Sequence, residues 1–316
     1  MNTKFLNGYI RGLADFTICL GLMFMLCFNV NGQDLEPRAY VRFPINANVI
    51  LPGCSFSQGK VLTDPNVPLK DFKANVGIAY LGYAHTFNLF GLTAQAFTVL
   101  PFCFAHASAD VNGQFQEVDR TGPADIRTRL SVLVLGGRAL TLSELRQQKK
   151  RHTILGTSIT IQIPTGQYFP EKLVNIGTGR WAFKPEIALS QPLSQRWLLD
   201  VYTAVWLFTD NDSYFTGNAL RSQHAVGAVQ THVSYNIGAF AWAAFNATYY
   251  TGGKSTVNGV VNDDKVSNVR LGSTLVLPTG KKSGLKFSFS TGAVAVRGSN
   301  FTTISVGWSY SWFGKN

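Results

Sequence analysis

The chain is poor in charged residues and in cysteine. Charged side chains make up 14% of its 316 residues, well below the roughly one quarter that is usual in soluble domains. It has four cysteines, and two of them, Cys19 and Cys27, fall in an apolar N-terminal stretch. The other two, Cys54 and Cys103, fall on predicted strands that are not neighbours, so we expect no disulfide between them. These features argue against a small disulfide-stapled fold.

Long apolar runs are also missing beyond the N-terminus. No later run reaches the roughly eighteen residues that a transmembrane helix needs, which excludes an internal membrane helix. At the N-terminus, Lys4 and Arg11 precede an apolar stretch at residues 16–30, which is short for a span and typical of an export signal. We predict a signal peptide over residues 1–32 and one domain over residues 33–316, where no linker or low-complexity tract interrupts the chain.

The basic excess is spread singly along the chain. The net charge is +11 and aromatic residues make up 13%, but no clustered Lys/Arg face with interleaved aromatics occurs. Nucleic acid is therefore excluded as a partner. An anion-friendly lumen, or contact with anionic lipopolysaccharide and outer-membrane lipid, explains the charge better.

The last stretch of the chain carries the clearest pattern. Its odd positions are small or hydroxylated, and its even positions are apolar and increasingly aromatic: Ile304, Val306, Trp308, Tyr310 and Trp312. Alternation over about ten residues matches a tilted strand that crosses a bilayer, with an aromatic girdle at the interface. The pattern predicts a transmembrane β-strand.

Similar stretches recur along the chain, joined alternately by short turns and longer polar loops. We predict an all-β fold, a closed antiparallel transmembrane barrel of about twelve strands, with both chain ends on the periplasmic side. The longer loops are predicted to be extracellular, at residues 58–70, 106–122, 165–179, 210–219 and 251–264. The strands are predicted at residues 39–57, 72–86, 91–104, 123–135, 153–163, 180–189, 196–209, 220–235, 237–250, 265–277, 285–297 and 302–313. Residues 141–150 have helical character, and the facing of 237–250 stays open because Trp242 and Phe245 oppose each other in phase.

Alternation places more cations than acids on the inward faces. The predicted pore-lining charges are Arg42, Lys73, Asp125, Arg127, Arg129, Arg180, Lys184, Glu186, Asp200, Arg270 and Lys286. The same rule turns Val76, Ile78 and Tyr80 outward. Cations and carboxylates that face one another across a narrow lumen can neutralise each other, or the remaining charge can act as a selectivity lining. Tyr202, Trp206 and Phe208 are also predicted inside, either as a slide for aromatic solutes or as packing.

No catalytic or metal-binding constellation emerges. His224 and His232 lie eight residues apart, or about 25 Å along a strand, which is too far to share a metal ion. Both are predicted on the polar face, whereas a barrel phospholipase needs a Ser–His pair at the lipid face. We therefore expect no enzyme activity, no cofactor and no metal.

Several segments resemble a known family. GRWAFKPEIALSQPL at residues 179–193, RWLLDVYTAVWLFTDNDSYF at 196–215 and the closing GWSYSWF are similar to members of the family named for the putative MetA-pathway of phenol degradation. The resemblance implies an outer-membrane barrel for passive uptake of small hydrophobic or aromatic compounds. The alternative is a structural or adhesive barrel whose lumen is plugged, either by residues 33–38 or by the loop 106–122.

Overall fold

The computed structural model describes residues 36–62, 69–148, 151–215, 217–238 and 240–314. The predicted signal peptide lies outside these residues. Within the described ranges, no helix has the length and apolarity of a membrane span. The elements are β1 Ala47–Leu62, β2 Leu69–Leu89, β3 Leu92–Val111, β4 Gln114–Pro123, β5 Ile126–Leu135, α1 Leu142–Gln147, β6 Ile154–Ile163, β7 Ala182–Pro192, β8 Trp197–Phe208, β9 Asn211–Tyr214, β10 Ala219–Gln223, β11 Val226–Asn236, β12 Trp242–Gly252, β13 Ser255–Val257, β14 Val260–Val261, β15 Val266–Pro278, β16 Ser283–Ala295 and β17 Gly298–Phe313.

Twelve of these strands close into an antiparallel barrel, as predicted. The order around the wall is β1, β17, β16, β15, β12, β11, β8, β7, β6, β5, β3 and β2, and β2 returns to β1. The seam joins the first and last strands, with Ala47 opposite Phe313 and Leu62 opposite Gly298. Closure matters in a bilayer because it leaves no strand edge whose backbone groups lack hydrogen-bond partners.

The five remaining strands extend the wall at one rim. β4 pairs with β3 beyond the point where β5 pairs with it, and β14, β13, β10 and β9 form a separate four-stranded sheet. The predicted loops 106–122, 210–219 and 251–264 are therefore largely hairpins, and the prediction of irregular structure there is wrong. Their strands lack a long apolar face, so the pattern used to find membrane strands does not separate them. Residues 220–223 of β10 fall within the predicted strand 220–235. The described residues of all five predicted long loops lie at this rim, opposite Ala47 and Phe313.

The other rim carries short turns and one helix. α1 lies within the predicted helical stretch and begins at a capping box. In that box the Glu144 amide donates to the Thr141 hydroxyl, and the Thr141 amide donates to the Glu144 carboxylate. The bonds that the Thr141 amide and hydroxyl donate to the carboxylate hold the pKa of Glu144 below its usual value.

Burial shows which side of each strand faces inward. In β17, Thr303 and Gly307 are buried whereas Ile304 is 53% exposed, as the sequence predicts. In β12, Asn246 is fully buried and Phe245 is 58% exposed, so Trp242, in phase with Asn246, faces inward.

The predicted facing of the first two strands is wrong. Residues 39–46 are not a strand, so Arg42 lies before the barrel wall and donates to the side chain of Gln148 near α1. Lys73 is exposed on the outer side of β2, while Ile78 and Tyr80 line the interior. The inner face is apolar in this part of the wall, so the rule that apolar faces meet lipid gives the opposite answer.

Cys54 on β1 and Cys103 on β3 are both buried and are not joined by a disulfide. β2 separates the two strands.

Candidate solute site in the barrel lumen

The lumen contains a cavity of about 420 Å³ with two chemically different walls. One wall comes from β1, β2 and β3, whose inward residues are mainly apolar or aromatic there. The residues of this apolar wall that border the cavity are Leu51, Ile78, Tyr80, Phe97, Val99 and Pro101. Such a surface favours contact with an apolar solute through removal of both surfaces from water.

The rest of the lining is polar and rich in cations. Arg127 and Arg129 reach the cavity from β5, Lys184 from β7 and Lys286 from β16. The space between them is bordered by hydroxyl and amide side chains, namely Thr160, Gln162, Ser288, Ser290, Thr303 and Ser305. The cavity therefore offers one amphipathic site, with cations beside an apolar surface.

Tyr80 is held in the apolar wall by two neighbouring glycines. A Cβ atom at Gly53 would lie 2.4 Å from the Tyr80 ring and hydroxyl, and one at Gly307 would lie 3.0 Å from the hydroxyl. The Tyr80 ring thus packs directly on the backbone at two positions where any side chain larger than that of glycine would clash with it. This packing determines the width of the cavity at the β1–β17 seam.

Asp125 fixes the roof of the cavity. Its carboxylate accepts hydrogen bonds from the Gly166 amide at 2.9 Å, the Gln162 side chain at 2.9 Å, and both the amide and hydroxyl of Thr178 at 3.0 and 2.6 Å. These bonds hold the loop between β6 and β7, which brings Ile176 and Thr178 to the cavity. The inward position of Asp125 follows from alternation, but its carboxylate serves this loop.

Residues 36–46 lie across the lumen on the side of the short-turn rim, and we call them the N-terminal plug. Its first described residue, Glu36, borders the cavity, and a Glu36 carboxylate oxygen lies 2.6 Å from Nη1 of Arg129. At the other end, the Thr86 hydroxyl donates to the Pro44 carbonyl at 2.6 Å and accepts from the Ala47 amide at 3.0 Å. The plug is thus attached to β2 and β5.

Tyr40 is the main anchor of the plug. It is fully buried, and its hydroxyl donates to Oε1 of Glu186 at 2.8 Å and lies 2.7 Å from the Ser158 hydroxyl. Its ring meets Tyr202 edge to face at 5.1 Å between centroids. Because β6 has glycine at position 156, the ring can lie directly on the wall; a Cβ there would stand 2.3 Å from it.

A second set of contacts holds the backbone beside Tyr40. The Arg38 amide donates to Asp200 at 3.1 Å, and the Ala39 amide donates to the Tyr202 hydroxyl at 3.2 Å. The Arg38 guanidinium lies 4.5 Å from the centroid of Trp242. Glu186, Asp200 and Tyr202 thus occupy the inward positions that alternation predicts, and they contact the plug.

The other predicted pore-lining residues on the inner wall lie away from these contacts with the plug. Lys184 is linked to the plug through Glu186. Arg180 donates to Gln223 and stacks over Phe208 at 4.4 Å. Lys184 lies 3.5 Å from Glu186 and 5.4 Å from the ring centroid of Trp206. Arg270 donates to Ser290 at 2.9 Å. Of the predicted set, the structure brings Asp125, Arg127, Arg129, Lys184 and Lys286 together around the cavity.

The residues that shape the site most do not stand out in the sequence pattern. Glu36 and Tyr40 precede the first strand, and Tyr40 fell within a stretch whose alternation extended the predicted strand too far. Leu51, Tyr80 and Phe97 are inward apolar residues. The glycines at positions 53, 156 and 307 are a usable signal, because glycine within a strand marks close approach of another group.

The architecture and its inward-facing cavity define a β-barrel of the bacterial outer membrane. The structure is similar to an outer membrane channel from Pseudomonas putida F1, with a TM-score of 0.75 and 19% identity over 88% of this chain and 100% of the other. It is also similar to the β domain of the Bordetella autotransporter Brka, with a TM-score of 0.53 and 13% identity over 84% and 100% of the two chains.

The sequence identifies the family to which the chain belongs. The model of the family described as "Putative MetA-pathway of phenol degradation" matches residues 56–305, and the chain belongs to that family. No curated protein matches it.

Proposed function

We propose that the protein is a passive outer-membrane channel for small hydrophobic or aromatic compounds. The observation that carries the proposal is the cavity inside the barrel, where one wall is apolar over three neighbouring strands. A volume of about 420 Å³ lies within the roughly 300–1,000 Å³ typical of small-molecule sites. Membership of the family and likeness to a protein described as a channel support the same conclusion.

The plug bears on the alternative, a structural or adhesive barrel with a closed lumen. Residues 36–38 contact the inner wall, while residues 106–122 form the exposed β3–β4 hairpin. The plug therefore comes from the N-terminus, and the two functions differ in whether a solute passes it.

Uptake by cells tests the proposal. Phenylnaphthylamine is a neutral aromatic probe that fluoresces in lipid and is retarded by a lipopolysaccharide leaflet. We expect faster uptake in cells that express the protein than in cells carrying an empty vector. Ser288→Phe would fill the cavity and lower that gain severalfold. Ser273→Phe makes the same change on the exposed face of the neighbouring strand and should leave uptake unchanged.

Equal uptake with and without the folded protein would favour the structural or adhesive barrel. An effect of Ser273→Phe equal to that of Ser288→Phe would show that the cavity is not the route.

A further inference from the structure

The charges around the cavity do not balance. Its lining contains four cations, Arg127, Arg129, Lys184 and Lys286, and two acids, Glu36 and Asp125. Lys184 is paired with Glu186, whose carboxylate lies 3.5 Å away. The Asp125 carboxylate accepts four hydrogen bonds, three of them from the loop between β6 and β7 and one from Gln162 of β6. The other acid belongs to the plug and not to the wall. Glu36 is thus a carboxylate of the plug, placed among cations of the wall.

Arg129 presents its guanidinium to Glu36 from a fixed position. Its Nη1 contacts Glu36 at 2.6 Å, while its Nε is buried without a hydrogen-bond partner among the described residues. The guanidinium is fixed between two rings, 5.8 Å from the centroid of Phe97 and 6.0 Å from that of Tyr40. Because the Nε is buried, the donor that this fixed guanidinium presents to a carboxylate in the cavity is the Nη1 that now contacts Glu36.

Lys286 supplies a second cation from across the seam. It borders the same cavity, interacts electrostatically with both Glu36 and Arg129, and forms no ion pair within 4.0 Å with a described acid. Two cations that border the same cavity repel each other unless an anion lies between them. Glu36 supplies that anion in this structure.

We propose that Arg129 and Lys286 form a carboxylate-binding site that Glu36 occupies at rest and that an organic acid with an apolar body takes over. This inference rests on the proposed channel function and names its solute class. Phe97, Val99 and Leu51 lie on the same cavity and receive the apolar body. A neutral solute can use this apolar surface but gains nothing from the two cations. Because Glu36 is four residues from Tyr40, displacement also frees the inner end of the plug.

Binding of a matched pair of ligands tests the site directly. We would titrate cinnamate and cinnamamide, which share one apolar body, into the purified, folded, detergent-solubilised protein by calorimetry. We expect cinnamate to bind at least tenfold more tightly than the amide, since a hydrogen bond to a charged group contributes roughly 1.5–3 kcal/mol. Arg129→Gln and Lys286→Gln should each weaken cinnamate binding by roughly ten- to a hundredfold.

Glu36→Gln separates this proposal from a purely structural ion pair. Removing the resident carboxylate removes a competitor, so cinnamate should bind severalfold more tightly while cinnamamide changes little. Arg297→Gln removes a cation from an exposed pair with Asp263 outside the cavity and controls for overall charge; it should have no effect.

Unchanged or weaker cinnamate binding in folded Glu36→Gln protein, or equal binding of the acid and the amide, would overturn the proposal. If Arg129→Gln does not fold, Glu36→Gln and Lys286→Gln carry the test. A negative result here leaves the channel function standing, because uptake of the neutral phenylnaphthylamine is measured separately.

Discussion

Removal of one hydroxyl group should loosen the plug. Tyr40→Phe keeps the ring that packs against Tyr202 but deletes the hydrogen bonds to Glu186 and Ser158. A bond to a carboxylate contributes roughly 1.5–3 kcal/mol and a neutral one about 1 kcal/mol. The seated position of the plug would therefore be destabilised by about 2.5–4 kcal/mol. Because about 1.4 kcal/mol corresponds to a tenfold change in an equilibrium constant, the undocked fraction should rise by roughly a hundred- to a thousandfold.

Single-channel recording in planar bilayers measures that fraction. We expect Tyr40→Phe to add long openings of higher conductance that are rare in the unmodified protein. Tyr83→Phe is the matched control, because the Tyr83 hydroxyl donates to Asn48 at 2.7 Å on the outer side of the barrel. The reasoning is refuted if Tyr40→Phe protein, shown to be folded by its heat-modifiable mobility, has the same open fraction as the unmodified channel.

Three further predictions concern the plug, the topology and the lumen charge. Gly156→Ala should also raise the open fraction, because its methyl group would stand 2.3 Å from the Tyr40 ring; an unchanged open fraction in folded protein would show that the ring can move aside. An epitope inserted after Asn258, in the exposed turn between β13 and β14, should be detected by antibody on intact cells. The same epitope after Lys281, at the opposite rim, should be detected only after permeabilisation, and the reverse pattern would invert the predicted orientation. Arg127→Glu should fold and shift the reversal potential toward cation selectivity, and an unchanged potential would place Arg127 outside the conducting path.

The barrel could be predicted because its outer face obeys a simple rule. In the last strand, Ile304 and Tyr310 must meet lipid, and Thr303 and Gly307 alternate with them on the inside. The same contrast between faces recurs along the chain and gave the count of twelve strands and the position of the short turns. Lipid requires an apolar outer face, and most strands combine it with a polar inner face, so the contrast is visible in a single sequence.

The site could be predicted only in part because no equivalent rule governs the inside. Arg129 was correctly placed on the inner side of β5, but its partner Glu36 is 93 residues away and precedes the wall. Where the inner face is itself apolar, as at Ile78 and Tyr80, alternation cannot tell lipid from lumen. Which acid meets which cation depends on barrel closure, which a linear pattern does not contain.

The continuity between the plug and β1 has a consequence for strand register at the seam. A slip by one residue between β1 and β17 would turn every side chain to the wrong face, but a slip by two would keep the faces correct. Such a slip would move β1 by about 7 Å along its partner and would draw Tyr40 away from Glu186 by a similar distance. The hydrogen bonds of the Thr86 hydroxyl would transmit this shift, because they connect the Pro44 carbonyl of the plug with the Ala47 amide at the start of β1. The contacts of the plug therefore favour one register of β1 against β17 over a register shifted by two residues, although both registers present the same faces to the membrane.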